Sequence, residues 1–283
     1  MTSPETVIYD VDIEHNKGSW CFSRNVELQK ASQRLASISY LENNKTERKH
    51  FVLSQRSQPK GCEIVGEVKW IHIAPVVIKD VDAKGKSLSG YLDDKIRHLS
   101  NREDEKVPLN TVIDFVERYV LLRVPPNKPL IISAGEASTS VLKDAIFVLY
   151  NASRLKVLLG NCAQRGFNFI TGSMLEDLDN FNDKLTEVDV ALKVFTSDFP
   201  NRYSKWTRDT SNGHLVAHLI IRWCQEFVRI FNKFYNTVRV LPPEKMQEHQ
   251  ASILRQRVHI LGHLLLAVEK VFVLLNCTIP MKM

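Results

Sequence analysis

A helical rhythm in the second half of the chain constrains its fold more than any other feature. Leu254, Val258, Leu261, Leu265, Val268, Phe272 and Leu275 step by fours and threes without a break, and so do Val216, Ile220, Trp223, Phe227, Ile230, Phe234, Val238 and Leu241. Steps of this kind put apolar side chains on one face of a helix, and that face has to be covered by another element. The second run is expected to occupy a helix from near His214 to Leu241, ended by Pro242 and Pro243. Val141, Ala145, Val148, Ala152, Leu155 and Leu159 mark a further helix over Glu136 to Leu159, with Gly160 as its stop. Another, acidic on its outer face, is expected from about Met174 to Val194. Four such helices predict a bundle.

The chain before Pro129 reads as mixed. Val7, Ile8, Tyr9, Val11 and Ile13 form an extended run, a helical stretch follows from about Asn25 to Tyr40, and Glu42 to Lys60 reads as a polar loop. Glu63 to Ile78 is expected to be a strand or hairpin capped by Pro75. A short helix should start at Ser89 and carry Leu92, Ile96 and Leu99. Asn110 is placed to cap one running through Val112, Phe115, Val116 and Tyr119. Pro125, Pro126 and Pro129 then break the chain. The expected fold is mainly α, α+β overall: an α/β region over residues 1–128 and an all-α helical domain over 129–283.

Composition removes several classes. With 44% hydrophobic residues the chain can bury a real core, which argues against disorder. The longest apolar stretch, Leu264 to Leu275, is broken by Glu269 and Lys270 and falls short of the roughly 18 residues a membrane span needs. Met1 is followed by Thr2, Ser3, Glu5 and Asp10, not by a basic flank and an apolar core, so a cytoplasmic location is expected. Cys21, Cys62, Cys162, Cys224 and Cys277 are scattered without C-x-x-C spacing, and read as reduced structural thiols with no metal site.

Charge is segregated. Glu176 to Asp189 holds six acids and one base, whereas His214 to Met283 holds nine Lys and Arg against four Glu. Arg222, Arg229, Lys233, Asn236 and Arg239 recur opposite the apolar stripe of their helix, Tyr235 lies at its edge, and Arg255 and Arg257 begin the next. Cations interleaved with an aromatic ring and an amide suit a single-stranded RNA loop. An ordinary solvated helix face has the same spacing. Catalytic signatures are missing: there is no Gly-rich phosphate loop, G-x-S-x-G or H-E-x-x-H, and no cofactor is expected. His259-Ile260-Leu261-Gly262-His263 lies inside an amphipathic helix, where a packing or surface role is expected, and Lys84 to Gly90 reads as a polar turn.

Phe147-Val148-Leu149-Tyr150-Asn151-Ala152-Ser153-Arg154-Leu155 resembles the tyrosine-plus-arginine helix that opens the DALR anticodon-binding domain of arginyl-tRNA synthetases. Phe231 to Leu241, with Phe234-Tyr235-Asn236, is similar to that domain's F-x-x-F-Y-N helix, and Arg255 through Pro280-Met281 to its closing helix. Val112 to Arg123 and Ile131 to Thr139 resemble the preceding segment in the DALR anticodon-binding domain-containing family, the synthetase-like paralogues of animals. The resemblance is strongest from about residue 110 onward. It implies that residues 1–128 are a degenerate class I synthetase-like region, without a working HIGH signature and with Lys84 to Gly90 about where a KMSKS loop would stand.

It further implies a non-catalytic adaptor that binds arginine tRNA and delivers it to a methyltransferase-like enzyme for 3-methylcytidine formation in the anticodon loop. Position by position, the anticodon-facing groups would be Tyr150, Arg154, Tyr235, Asn236 and Met281, with phosphate contacts from Arg222, Arg229, Lys233, Arg239, Arg255 and Arg257. Each of the first five also has a packing or surface alternative. A protein-interaction scaffold and a divergent synthetase-like enzyme remain as alternative readings.

Overall fold

The computed structural model of the 283-residue chain describes residues 7–9, 19–22, 50–54, 68–72, 74, 76–79, 90–91, 94–96, 109–133, 136–169, 185–212, 214–241 and 248–281. Its helices are α1 (Leu109–Leu122), α2 (Glu136–Gln164), α3 (Glu187–Ser197), α4 (Phe199–Ser211), α5 (Ala217–Thr237) and α6 (Glu248–Leu274). Its strands are β1 (Val7–Tyr9), β2 (Ser19–Phe22), β3 (His50–Ser54), β4 (Val68–His72), β5 (Val76–Lys79) and β6 (Leu130–Ser133). The fold is mainly α, α+β overall, as the periodicity predicts. Among the described residues no helix is long and apolar enough to cross a membrane.

The chain divides into two compact units, one of residues 1–77, 124–131 and 205–216, the other of 78–123, 132–204 and 217–283. The first contains a mixed sheet in the order β1-β2-β3-β4. β1 runs antiparallel to β2, with Tyr9 opposite Trp20, while β2, β3 and β4 are parallel, with Cys21, Val52 and Trp70 in register. β3 lies inside the stretch read as a polar loop. Its core, Phe51-Val52-Leu53, has the aromatic and β-branched content of a strand, which the flanking charges mask in a wider window. The stretch expected as a strand or hairpin holds β4 and the start of β5, which do not pair with each other: β4 pairs with β3, whereas β5 pairs with β6 in a separate two-stranded sheet, and Pro75 lies outside the described residues. The proline-rich break is a turn, with Lys128 N donating to Pro125 O at 3.0 Å and Ala74 N to Pro126 O at 2.7 Å.

In the second unit α2 packs against α1, α5 and α6, and α3 against α5 and α6. Leu149, Ala152 and Leu155 of α2 are fully buried, as are Phe115 and Val116 of α1. Phe115 stacks on Phe272 of α6 with ring centroids 5.0 Å apart. The buried stripes are wider than the sequence stripes: Phe231 and Leu264 are fully buried, while Ile230 and Leu265 are only half-buried. α1 begins at Leu109, so Asn110 lies within its first turn instead of capping it. Tyr91 and Ile96, in the short helix expected from Ser89, are helical and buried. The helix expected over Asn25 to Tyr40, and Lys84 to Ser89, lie outside the described residues.

Helix ends account for the remaining differences. α2 runs past Gly160 to Gln164 and stops at Gly166, whose φ of 85° lets Phe167 N reach Cys162 O and Gly166 N reach Ala163 O. This is the Schellman pattern, whose left-handed position favours glycine or asparagine. α6 ends the same way with Asn276 at φ 51°, Cys277 N bonding Phe272 O. α3 starts at Glu187, after the non-helical residues 185–186, because Thr186 and Asp189 form a capping box, and the part of the expected helix from Met174 to Lys184 lies outside the described residues. α4 was not expected, since Pro200 and a polar run conceal its stripe of Phe199, Tyr203 and Trp206 at helical spacing. Of the described cysteines, Cys162 and Cys224 are buried, and burial pushes the Cys224 thiol up to about 12.

Candidate nucleic-acid interface

A column of aromatic rings runs along α5 and ends at Tyr235. Trp223, Phe227, Phe231 and Tyr235 recur every fourth residue, so successive rings meet on one helix face, with centroids 6.0, 5.6 and 5.9 Å apart. Phe195 of α3 and Phe199 of α4 each lie 5.1 Å from the Trp223 ring and close the far end of the column. The first three rings are buried and Tyr235 is half-buried. A ring backed by this column has few alternative positions, which suits a residue that presents one face to a ligand.

Arg154 of α2 meets that ring. Its guanidinium carbon lies 4.3 Å from the Tyr235 centroid and 4.7 Å from the Tyr150 centroid, and Nη2 donates to the Tyr150 hydroxyl at 2.7 Å. Tyr150 and Arg154 are one turn apart on α2, just off its buried stripe, so both are half-buried and reach the surface together. The arrangement joins a planar cation to two π faces, and a guanidinium carries more donors than the one spent on Tyr150. Three of the five expected anticodon-facing residues are therefore in contact.

The other two are placed differently. Asn236 is exposed and, following Tyr235 on the helix, points roughly 100° away from it. Met281 is 67% exposed in a tail that α2 holds: buried Ser153 donates from Oγ to Pro280 O at 2.6 Å. Arg118 donates to Cys277 Sγ at 3.3 Å at the tail's other end.

Arg222, Arg229 and Lys233 form an exposed row on α5, roughly 140° around the helix from Tyr235. Glu226 stands in the same row, but it accepts from Arg202 of α4 at 2.8 Å, which leaves the row's balance positive. Arg239 is exposed just beyond the helix. The Arg222 charge and, more strongly, burial lower the pKa of His218 one turn away. Arg255 is exposed and pairs with Glu248 at 3.4 Å, a separation and exposure at which an ion pair contributes little.

Arg257 departs from the expectation of a phosphate contact. Its Nε and Nη2 donate to Oδ1 and Oδ2 of Asp189 at 2.8 and 2.9 Å, a bidentate pair whose carboxylate is 0% exposed. Thr186 adds its backbone N–H at 2.9 Å and its hydroxyl at 2.7 Å. Burial alone would raise the Asp189 pKa, but the bonds from Arg257 and Thr186 outweigh it and hold the carboxyl below its ordinary range. The acidic outer face expected around this residue is thus interrupted by a carboxylate committed to α6. The partners lie 68 residues apart, a separation no periodicity bridges.

His259 and His263 of the HIGH-like run lie on α6 with the Phe169 ring between them, at 5.8 and 5.2 Å. Phe169 also covers Gly262, where a Cβ would overlap the ring. The run serves helix packing here. Among the described residues no group of three His, Cys, Asp or Glu is placed to hold a metal ion.

No protein-family model matches the chain. Over 197 residues it is 24% identical to "Arginine--tRNA ligase" of Pyrococcus furiosus, a match covering 69% of this chain and 30% of that protein. Two solved structures share its fold at low identity. Arginyl-tRNA synthetase of Thermus thermophilus matches 84% of this chain with a TM-score of 0.56 and 14% identity. That of Plasmodium falciparum matches 88% with a TM-score of 0.58 and 13% identity. The chain spans only 42% and 44% of those two structures. In sequence over 197 residues, and in fold over most of its length, the chain is arginyl-tRNA synthetase-like.

Proposed function

We propose that this protein is a non-catalytic, cytoplasmic adaptor. It recognises arginine tRNA through the anticodon arm and presents it to a methyltransferase-like enzyme that forms 3-methylcytidine in the anticodon loop. In this reading residues 129–283 are a DALR anticodon-binding domain and residues 1–128 a degenerate synthetase-like region. A tRNA-directed role is supported by the likeness to arginyl-tRNA synthetases. The observation that carries it further is the meeting of Arg154 with Tyr150 and Tyr235. Unstacked bases of a single-stranded loop are held by stacking on aromatic rings and guanidinium planes. The Arg222, Arg229 and Lys233 row, on another side of α5, would take phosphates, which position the RNA without reading sequence. The chemistry belongs to the partner, since the sequence carries neither a Gly-rich cofactor loop nor the signatures of adenylate formation.

The test is binding of this chain to arginine tRNAs and to an unrelated tRNA at low and moderate salt. Selective binding that weakens as salt rises supports the adaptor. Weak, uniform or salt-insensitive binding transfers the bundle to a scaffold role. Arginine-dependent pyrophosphate exchange would replace the adaptor by an enzyme.

A further inference from the structure

The exposed face of α2 continues beyond Tyr150. At 3.6 residues per turn, Lys143, Phe147, Tyr150, Arg154 and Val157 fall within roughly 40° of one line along the helix. Phe147 is 45% exposed, an unusual setting for a ring with a buried stripe beside it. Its plane is parallel to that of Tyr150, 7° apart, with centroids separated by 6.4 Å. Asn151, itself fully buried, donates to Phe147 O at 2.8 Å and fixes the turn that presents the ring. Lys143, one turn toward the N-terminus, is exposed.

An isolated exposed apolar residue needs no explanation. This ring is not isolated: it stands in line between an exposed cation and a tyrosine that already holds an arginine. We propose that Phe147 and Lys143 form a second nucleotide subsite on α2, in which an unpaired base stacks on the Phe147 ring and its phosphate meets the Lys143 ammonium. The proposal rests on the RNA-binding reading above and deepens it: the bound strand continues along α2 past the Tyr150–Arg154–Tyr235 cluster. Charge decides the class of occupant. An apolar protein surface would have to desolvate Lys143 and Arg154 on either side of the ring, whereas a nucleotide brings phosphate to both.

The experiment measures affinity of the full chain for arginine tRNA. It is paired with the fluorescence of 2-aminopurine placed in turn at each loop position of an anticodon stem-loop RNA. Phe147→Ala should weaken binding about tenfold, the lower part of the range for losing one stacked base, and abolish quenching at one loop position. Phe147→Tyr should retain both within about twofold, since any aromatic face can stack. Lys143→Ala, which leaves the ring in place, should weaken binding a few-fold and lower the salt slope by about one. Tyr235→Ala serves as the control for the first subsite. If Tyr235→Ala loses affinity while Phe147→Ala keeps both affinity and quenching, the second subsite is overturned, the RNA reading stands and the ring is left to a protein contact. If the unaltered chain binds no tRNA, both fall together.

Discussion

The Arg154 cluster and the Arg257 clamp each carry a guanidinium from one helix to partners on another, and they differ in what the partners leave over. Arg257 meets a carboxylate that is 0% exposed and gives it two parallel hydrogen bonds, so its charge is cancelled and its Nε and one Nη2 donor are committed to the fold. Arg154 meets two rings that attract its charge without cancelling it, and its hydrogen bond goes to the neutral Tyr150 hydroxyl. Position on a basic stretch of sequence therefore does not decide whether an arginine can serve a polyanion. What decides it is whether the fold has already supplied an anion.

The largest expected effect comes from breaking the clamp. Asp189→Ala leaves the Arg257 charge largely buried without its partner and removes the N3 half of the α3 capping box, and should cost about 3–5 kcal/mol of stability, read from denaturant unfolding. Binding of tRNA by the folded fraction should be unchanged; a comparable loss of affinity would mean that the clamp belongs to the interface after all. The clamp also has a pH signature. Because Asp189 titrates below its ordinary value of 3.8, its contribution is complete above that value and is lost as the pH falls through the depressed one. Asp189→Asn should remove this acid-side dependence, and an unaltered acid limb would show that another carboxylate produces it.

Next in size is the cluster itself. Arg154→Ala and Tyr235→Ala should each lower tRNA affinity about tenfold or more, the loss of one stacked group, with folding little changed for the arginine variant. Arg154→Lys sharpens the comparison, because lysine keeps the charge but not the plane and should fail to restore binding. Full rescue by lysine would reduce Arg154 to a simple counter-ion. Smaller still are the exposed cations: Arg229→Glu and Arg239→Glu should each weaken binding and lower the slope of affinity against salt by about one, across all tRNAs alike.

Legibility followed sequence distance. α5 and α6 could be read because their stripes repeat over many turns, and Tyr150 with Arg154 because a spacing of four brings neighbours together on a helix. The start of α3 carried a readable signal, Thr186 with an acid three residues on, hidden inside an acidic run that resembled one continuous helix. α4 carried its signal in Phe199, Tyr203 and Trp206, against a proline at its second position. Periodicity could place Tyr235 at the edge of a stripe but could not bring it to Arg154; the family resemblance put both among the anticodon-facing groups without pairing them. For Arg257 there was no local signal, since its setting is made by a residue on another helix.

The smallest effect concerns the segment that carries Met281 after α6. Ser153 neighbours Arg154 on α2, and its hydroxyl holds Pro280 O at 2.6 Å, while the next residue, Met281, is 67% exposed and has little burial of its own to keep it in place. Ser153→Ala removes one hydrogen bond, about 1 kcal/mol, and Arg118 still anchors the tail at Cys277, so the unfolding midpoint should move only slightly. If the tail matters to RNA only by presenting Met281, the affinity lost in Ser153→Ala should be a few-fold and should equal or fall short of that in Met281→Ala. The double variant should then be no weaker than Met281→Ala alone, because a hydrogen bond that positions a missing side chain has nothing left to contribute. Additive losses would separate the two residues, placing the effect of Ser153 in the α2 backbone that carries Arg154.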